Sequence, residues 1–217
     1  MDNLFKIFLI LHILGGTVGL FAGTITLVRK KGDRTHKLTG IIFSYAMLTT
    51  GFSSFALSIM HSNYFLFMVG VFTIYLVGTG NRYIYLKLLG NDQQPTIMDW
   101  TITVGMLLAG VSFIGIGVRN LVAHNNFGFV FIVFGGLGLR FVKTDFDNYK
   151  GKLKAKNYWL LTHLQRMTGS YIAAITAFLV VNSKYSPVFV PSALVWLLPT
   201  VILTPVIISW TKKYEVK

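Results

Sequence analysis

Long apolar runs alternate with short polar breaks along this chain. The runs predict seven helices, over residues 4–28, 37–60, 64–86, 96–118, 121–142, 160–182 and 187–210. Each matches the length, about 20 residues, that crosses the hydrocarbon of a bilayer. The breaks, RKKGDRT, GNDQQP and KTDFDNYKGKLKAK among them, carry turn and charge signals. The fifth helix has the weakest pattern, because LVAHNNFGFVFIVFGGLGLRFV opens on polar residues and holds a glycine cluster. A cleaved signal peptide has a shorter apolar core, so the first run reads as a retained helix.

Composition agrees with the pattern. The chain has 217 residues, 53% hydrophobic and 12% charged, with a mean hydropathy of +0.62. A soluble domain carries about 25% charged residues. The expected fold is therefore all-α: one polytopic domain over 1–217 with seven transmembrane helices. The absence of cysteine excludes disulfides, thiolate metal sites and cysteine nucleophiles.

The net charge of +13 changes the picture only once it is sorted by side. Arg29, Lys30, Lys31, Arg34 and Lys37 follow the first helix, and Arg82 and Lys87 end the third. Arg140, Lys143, Lys150, Lys152, Lys154, Lys156 and Arg166 surround the start of the sixth, and Lys212, Lys213 and Lys217 form the tail. Only Lys6, Arg119 and Lys184 fall on the opposite side. Cytoplasmic loops carry the excess of lysine and arginine. This predicts an N-terminus outside and a C-terminus in the cytoplasm, in the cell's inner membrane. The partners expected are the bilayer itself and anionic lipid headgroups at the cytoplasmic loops. The basic loops then require no nucleic acid. Tyr64, Tyr83, Tyr85, Trp100, Tyr158, Trp159, Tyr185 and Trp210 fall near span ends, as an interfacial aromatic belt does.

An ionisable side chain within a span marks a candidate site. No Asp, Glu or Lys lies at mid-depth in the predicted spans, which argues against proton pumps, ion-coupled transporters and a retinal Schiff base. His12 is the deepest titratable group. His36, Arg82, Arg140, His163 and Arg166 share a similar depth near the cytoplasmic face. If their helices meet, two imidazoles face a ring of guanidiniums suited to an anionic ligand. They could equally hold a haem b, with histidines on the iron and arginines on the propionates. The plainer reading is snorkelling to headgroups. On the outer side His12, His61 and His124 do not match in depth, so a second haem is not supported. No zinc-binding spacing is present. Asp145 and Asp147 fall in the loop before the sixth helix. No nucleophile–base or two-carboxylate arrangement points to hydrolysis.

Gly15, Gly19 and Gly23 form two G-x-x-x-G steps, and Gly16, Gly19 and Gly23 share the face of His12. In lipid such a face reads as tight helix packing, or as a groove for a flat ligand or lipid tail. Further glycines cluster at Gly78 and Gly80, at Gly115 and Gly117, and at Gly135, Gly136 and Gly138. The seventh helix carries Pro187, Pro191, Pro199 and Pro205, and the last two predict a kink or unwound segment.

Three stretches, LHILGGTVGLFAGTITLVRKKGDRTHKLTG, HLQRMTGSYIAAITAFLVVN and VWLLPTVILTPVI, resemble an uncharacterised family of bacterial multi-pass membrane proteins catalogued as a domain of unknown function. The likeness covers nearly the whole chain. Its motif positions are His12, His36, Lys37, Gly40, His163, Arg166, Met167 and Gly169, with Lys37 departing from the family's arginine. The resemblance implies seven helices and no established activity. A more distant likeness is to two-haem b-type cytochromes. The leading expectation is a ligand or cofactor held between helices on the cytoplasmic side by His36, His163, Arg166, Arg82, Arg140 and His12, with a haem or quinone redox role. The alternatives are a small-molecule or lipid transporter and a structural membrane subunit.

Overall fold

The computed structural model describes residues 2–185 and 192–216. Pro187 and Pro191 lie outside the described residues. Within them the chain forms seven α-helices and no strand: α1 (Asp2–Val28), α2 (Arg34–Met60), α3 (Tyr64–Tyr83), α4 (Ile97–Val122), α5 (Gly128–Tyr149), α6 (Tyr158–Val181) and α7 (Ser192–Tyr214). A 3₁₀ turn, Ser183–Tyr185, follows α6. Among the described residues, six helices are long and apolar enough to cross a membrane. The exception is α5, whose second half carries Arg140, Lys143, Asp145 and Asp147.

Side chains set several helix starts. Asp33 Oδ1 accepts the His36 backbone N–H at 2.6 Å and caps α2. That N–H, with Arg29 beside it, holds the Asp33 carboxyl below the usual carboxylate range. Asn63 caps α3 through the Leu66 N–H at 3.0 Å. Thr96 and Asp99 form a reciprocal capping box at α4, so two of its orphan N–H groups are satisfied.

At the centre stands α3. Its Met68, Leu76, Val77 and Tyr83 are fully buried, and α2, α4, α5 and α6 all touch it. Around it α1 pairs with α2, α5 with α4, and α7 with α6. Close pairing depends on glycine. A Cβ on Gly128 would lie 2.5 Å from the Gly117 carbonyl oxygen, and one on Gly135 would lie 2.8 Å from that of Gly110. Here α4 and α5 touch backbone to backbone, the packing that small residues permit in lipid. Gly15, Gly19 and Gly23 likewise face Thr50, Met47 and Tyr171 at closer than ordinary contact distance, so the packing reading of that face holds.

The largest departure from the sequence pattern is α5, which starts and ends seven residues later than expected. Helix α4 runs on to Val122, and the chain turns at His124, whose φ is +57°. Asn125 closes the turn by accepting the Phe127 N–H at 3.0 Å. At the other end α5 continues through Asp145 to Tyr149, because Gly138, Val142, Asp145 and Tyr149 recur at helical spacing on one buried face. Asp145 therefore lies inside a helix, and not in a loop. No unwound segment appears in α7, which stays helical through Pro199 and Pro205.

Two expected interfacial tyrosines are also interior. Tyr83 and Tyr158 are 0% and 5% exposed and pack with Leu86, Leu89 and Tyr149 under the α3–α4 connection. Tyr158 donates to the Leu86 carbonyl and accepts the Leu89 N–H at 2.9 Å. The C-terminal end is clamped by Asn157, whose side chain donates to the Tyr214 carbonyl at 2.6 Å and accepts the Val216 N–H at 3.0 Å.

Candidate functional site

Asp145 and Arg166 form the most buried charged group of the bundle. Their side chains are 0% and 1% exposed, and Arg166 Nη2 lies 2.8 Å from Asp145 Oδ1. Arg166 sits eight residues into α6, about 12 Å from its start at ~1.5 Å per residue. Three further helices supply its surroundings. From α3, Tyr75 donates a short hydrogen bond to Asp145 Oδ2 and Tyr83 donates to Oδ1 at 2.9 Å. From α4, Thr103 meets the Tyr149 hydroxyl at 3.1 Å. From α5, Asn148 donates to the Tyr83 hydroxyl at 3.1 Å and the Phe141 carbonyl accepts from Arg166 Nη2 at 2.9 Å. Arg166 Nη1 donates to the Tyr75 hydroxyl at 2.9 Å, and the guanidinium lies 4.2 Å from the Phe141 ring centre. Both Asp145 oxygens and both Arg166 Nη atoms are hydrogen-bonded, as a buried ion pair requires if it is to be tolerated.

Each arginine and histidine expected to share a ring has surroundings of its own. Arg82 is committed to Asp99, through Nε–Oδ1 at 2.7 Å and Nη2–Oδ2 at 2.9 Å. Arg166 is committed to Asp145, and the side chain of Arg140 is exposed. His36 donates Nδ1–H to the Thr26 carbonyl of α1 at 3.2 Å, and His163 to the Gly80 carbonyl of α3 at 2.8 Å. His12 reaches the Thr50 carbonyl of α2 at 3.2 Å, with Ser54 Oγ at 3.3 Å. It is a strut between α1 and α2. Among the described residues no hydrogen bond or ion pair joins any two of these six side chains. Azimuth around each helix decides which neighbour a side chain meets, and Arg82 and Arg166 each meet a carboxylate. Each carbonyl partner fixes the proton on Nδ1, which leaves Nε2 of a neutral ring with its lone pair. Among the described residues no group of three or more His, Asp or Glu is placed to hold a metal ion.

A groove opens between α1 and α7 with α6 as its floor. It is open along one side and offers about 340 Å³, with Leu27, Tyr171, Ile175, Pro199, Leu203 and Trp210 among its walls. Its one polar pair is already satisfied, since Thr24 Oγ1 and the Tyr171 hydroxyl are 2.7 Å apart. It lies toward the C-terminal ends of α1 and α7, the end of the bundle where the basic segments gather. At its mouth Lys31 Nζ donates to the Thr26 and Leu27 carbonyls at 3.0 and 2.8 Å and sits 3.9 Å above the Trp210 ring.

The described residues form an all-helical bundle with six helices of membrane-spanning length and composition, a buried ion pair at its centre and an apolar groove at one flank. No family model, curated protein or solved structure matches the chain. Sequence reasoning missed Asp145 with the tyrosines Tyr75, Tyr83 and Tyr149 as members of one polar core, and Asp99 as the partner of Arg82. The available signal was the spacing of Gly138, Val142, Asp145 and Tyr149, which continues a helical face past the point where the apolar run stops.

Proposed function

We propose that this is a seven-span protein of the inner membrane, with its N-terminus outside, its basic loops in the cytoplasm and a site for a long-chain amphipathic molecule between α1, α6 and α7. The observation that carries the reading is the groove. Its volume lies in the range of small-molecule sites, its walls are apolar, and its mouth is at the cationic end. An acyl or isoprenoid chain matches such walls, because burying each methylene is worth about 0.8 kcal/mol. Membership of the uncharacterised bacterial family that the three motif stretches resemble belongs to the same proposal.

Mass spectrometry of lipids and quinones extracted from protein purified in mild detergent tests it. Ile175→Trp fills the floor of the groove. The expected result is a several-fold loss of the co-purified amphipath with the helical circular dichroism unchanged. An identical extract from wild type and variant would overturn the proposal.

A haem b reading has one observation in its favour. His36 and His163 each donate Nδ1–H to a backbone carbonyl, the second bond that orients a metal-ligating imidazole. Arg82 and Arg166, paired with carboxylates, fit the propionates poorly. Haem supplementation is expected to give a Soret band that His36→Ala and His163→Ala abolish. A colourless preparation sinks this version.

A further inference from the structure

The mouth of the groove carries a second set of observations. Lys31 Nζ spends two of its three N–H bonds on the Thr26 and Leu27 carbonyls, which end α1. The third has no partner among the described residues. The Trp210 indole beneath it is an N–H donor, and it has no hydrogen-bond partner among the described residues. Lys212 and Lys213 follow on the last turn of α7 and are exposed, as are Lys30, Arg34 and Lys37 on the facing segment. Asp33 offsets one positive charge of this segment, that of Arg29 at 3.2 Å, and leaves the lysines and Arg34 without a paired carboxylate among the described residues. Glu215 is the one other carboxylate on these two segments. The lumen behind the rim offers no free polar group, since Thr24 and Tyr171 satisfy each other. The groove therefore separates two chemistries along its length: hydrocarbon walls first, then donors and positive charge at the interface.

We propose that the occupant is a bilayer phospholipid with an anionic headgroup, one acyl chain lying against Ile175 and Leu203 and its phosphate oxygens at Lys31 and Trp210. This rests on the groove reading above and adds the headgroup. The phosphate accepts the free Lys31 N–H and the indole N–H, both donors that a neutral quinone ring would leave partly unanswered. Lys31, Lys212 and Lys213 together favour a headgroup with net negative charge over a zwitterionic one, by about fivefold in all. Burial beside Trp210 lowers the Lys31 pKa, and a phosphate at that spot restores the counter-charge that solvent no longer supplies.

Brominated phospholipids quench a tryptophan they touch. The full-length chain in neutral detergent is titrated with brominated phosphatidylglycerol and, separately, with brominated phosphatidylcholine. The Trp210-dependent emission is taken as the difference between wild type and Trp210→Phe. The anionic lipid is expected to reach half-maximal quenching at about fivefold lower concentration than the zwitterionic lipid. Lys31→Gln is expected to remove most of that preference. Where Lys31→Gln does not retain its circular dichroism, Lys212→Gln/Lys213→Gln decides, and it is expected to reduce the preference at least twofold, a shift that 0.5 M salt reproduces in the wild type. Equal quenching by both lipids, or a preference that the deciding variant leaves intact, overturns the headgroup assignment while leaving the groove occupied. No quenching of Trp210 by either lipid overturns both the assignment and the groove reading beneath it.

Discussion

Arg166→Met is expected to destabilise the bundle by about 3–5 kcal/mol, the cost of leaving one member of a buried ion pair alone. The measurement is reversible unfolding in mixed anionic and neutral detergent micelles, followed by circular dichroism. The size follows from what the substitution leaves behind. Asp145 is 0% exposed and cannot reach water. Without Arg166 it keeps the Tyr75 and Tyr83 hydroxyls but loses its counter-charge. The Phe141 carbonyl and the Tyr75 hydroxyl lose a donor as well. Asp145→Asn leaves the guanidinium stranded and is expected to cost a similar amount. Asp145→Asn/Arg166→Gln strands no charge, and should therefore be less destabilised than either single variant. Strictly additive losses would show that the pair is not coupled, and the central role given to it would fall.

Gly128→Ala carries the second large effect. Its new Cβ would stand 2.5 Å from the Gly117 carbonyl oxygen and 2.8 Å from Leu121 Cγ. The Leu121 side chain can rotate, but the carbonyl belongs to the α4 backbone, so the two helix axes must separate. Overpacking costs about 1–3 kcal/mol, and here it also removes the contacts between neighbouring residues of both helices. Gly136→Ala is the matched control. It lies on the same helix, with nothing within 4 Å of the added Cβ, and alanine is favoured over glycine in a helix by up to about 1 kcal/mol. The pair of variants should move unfolding in opposite directions. A loss of equal size in both would mean that glycine's absent side chain, and not the α4–α5 contact, sets the stability of α5.

Much of the architecture was legible because hydrophobic runs of this length have few uses. The ends of α1, α2 and α6 fall within three residues of the pattern's own limits. The exception is instructive. At α5 the apolar run and the helix are different objects: the run begins at the end of α4, ahead of the turn at His124, and the helix outlasts it by about two turns. A polar residue ends an apolar run whether it faces lipid, water or an arginine on another helix, so Asp145 looked like loop. Its partner could not be read locally, because the pairing links positions 21 residues apart on separate helices. Arg82 and Asp99 hid for the same reason. Of the two outcomes expected at the prolines of α7, the unwound segment is absent. Each removes one backbone bond, and the helix persists through both. The groove left no sequence signature, since it arises from α7 packing on α6 while standing off from α1.

The polar second half of α5 also bears on how the protein is made. Taken alone, α5 has too many charges to partition into hydrocarbon. In the seven-span topology proposed above, α5 leaves the ribosome before α6, with an aspartate whose counter-ion has not yet been synthesised. Its stable insertion must wait for the next helix to deliver Arg166. The α4–α5 hairpin, locked by its glycines, would have to be held at the edge of the membrane until then. A chain arrested before residue 166 should stay within reach of the insertion machinery, and release should coincide with the emergence of α6.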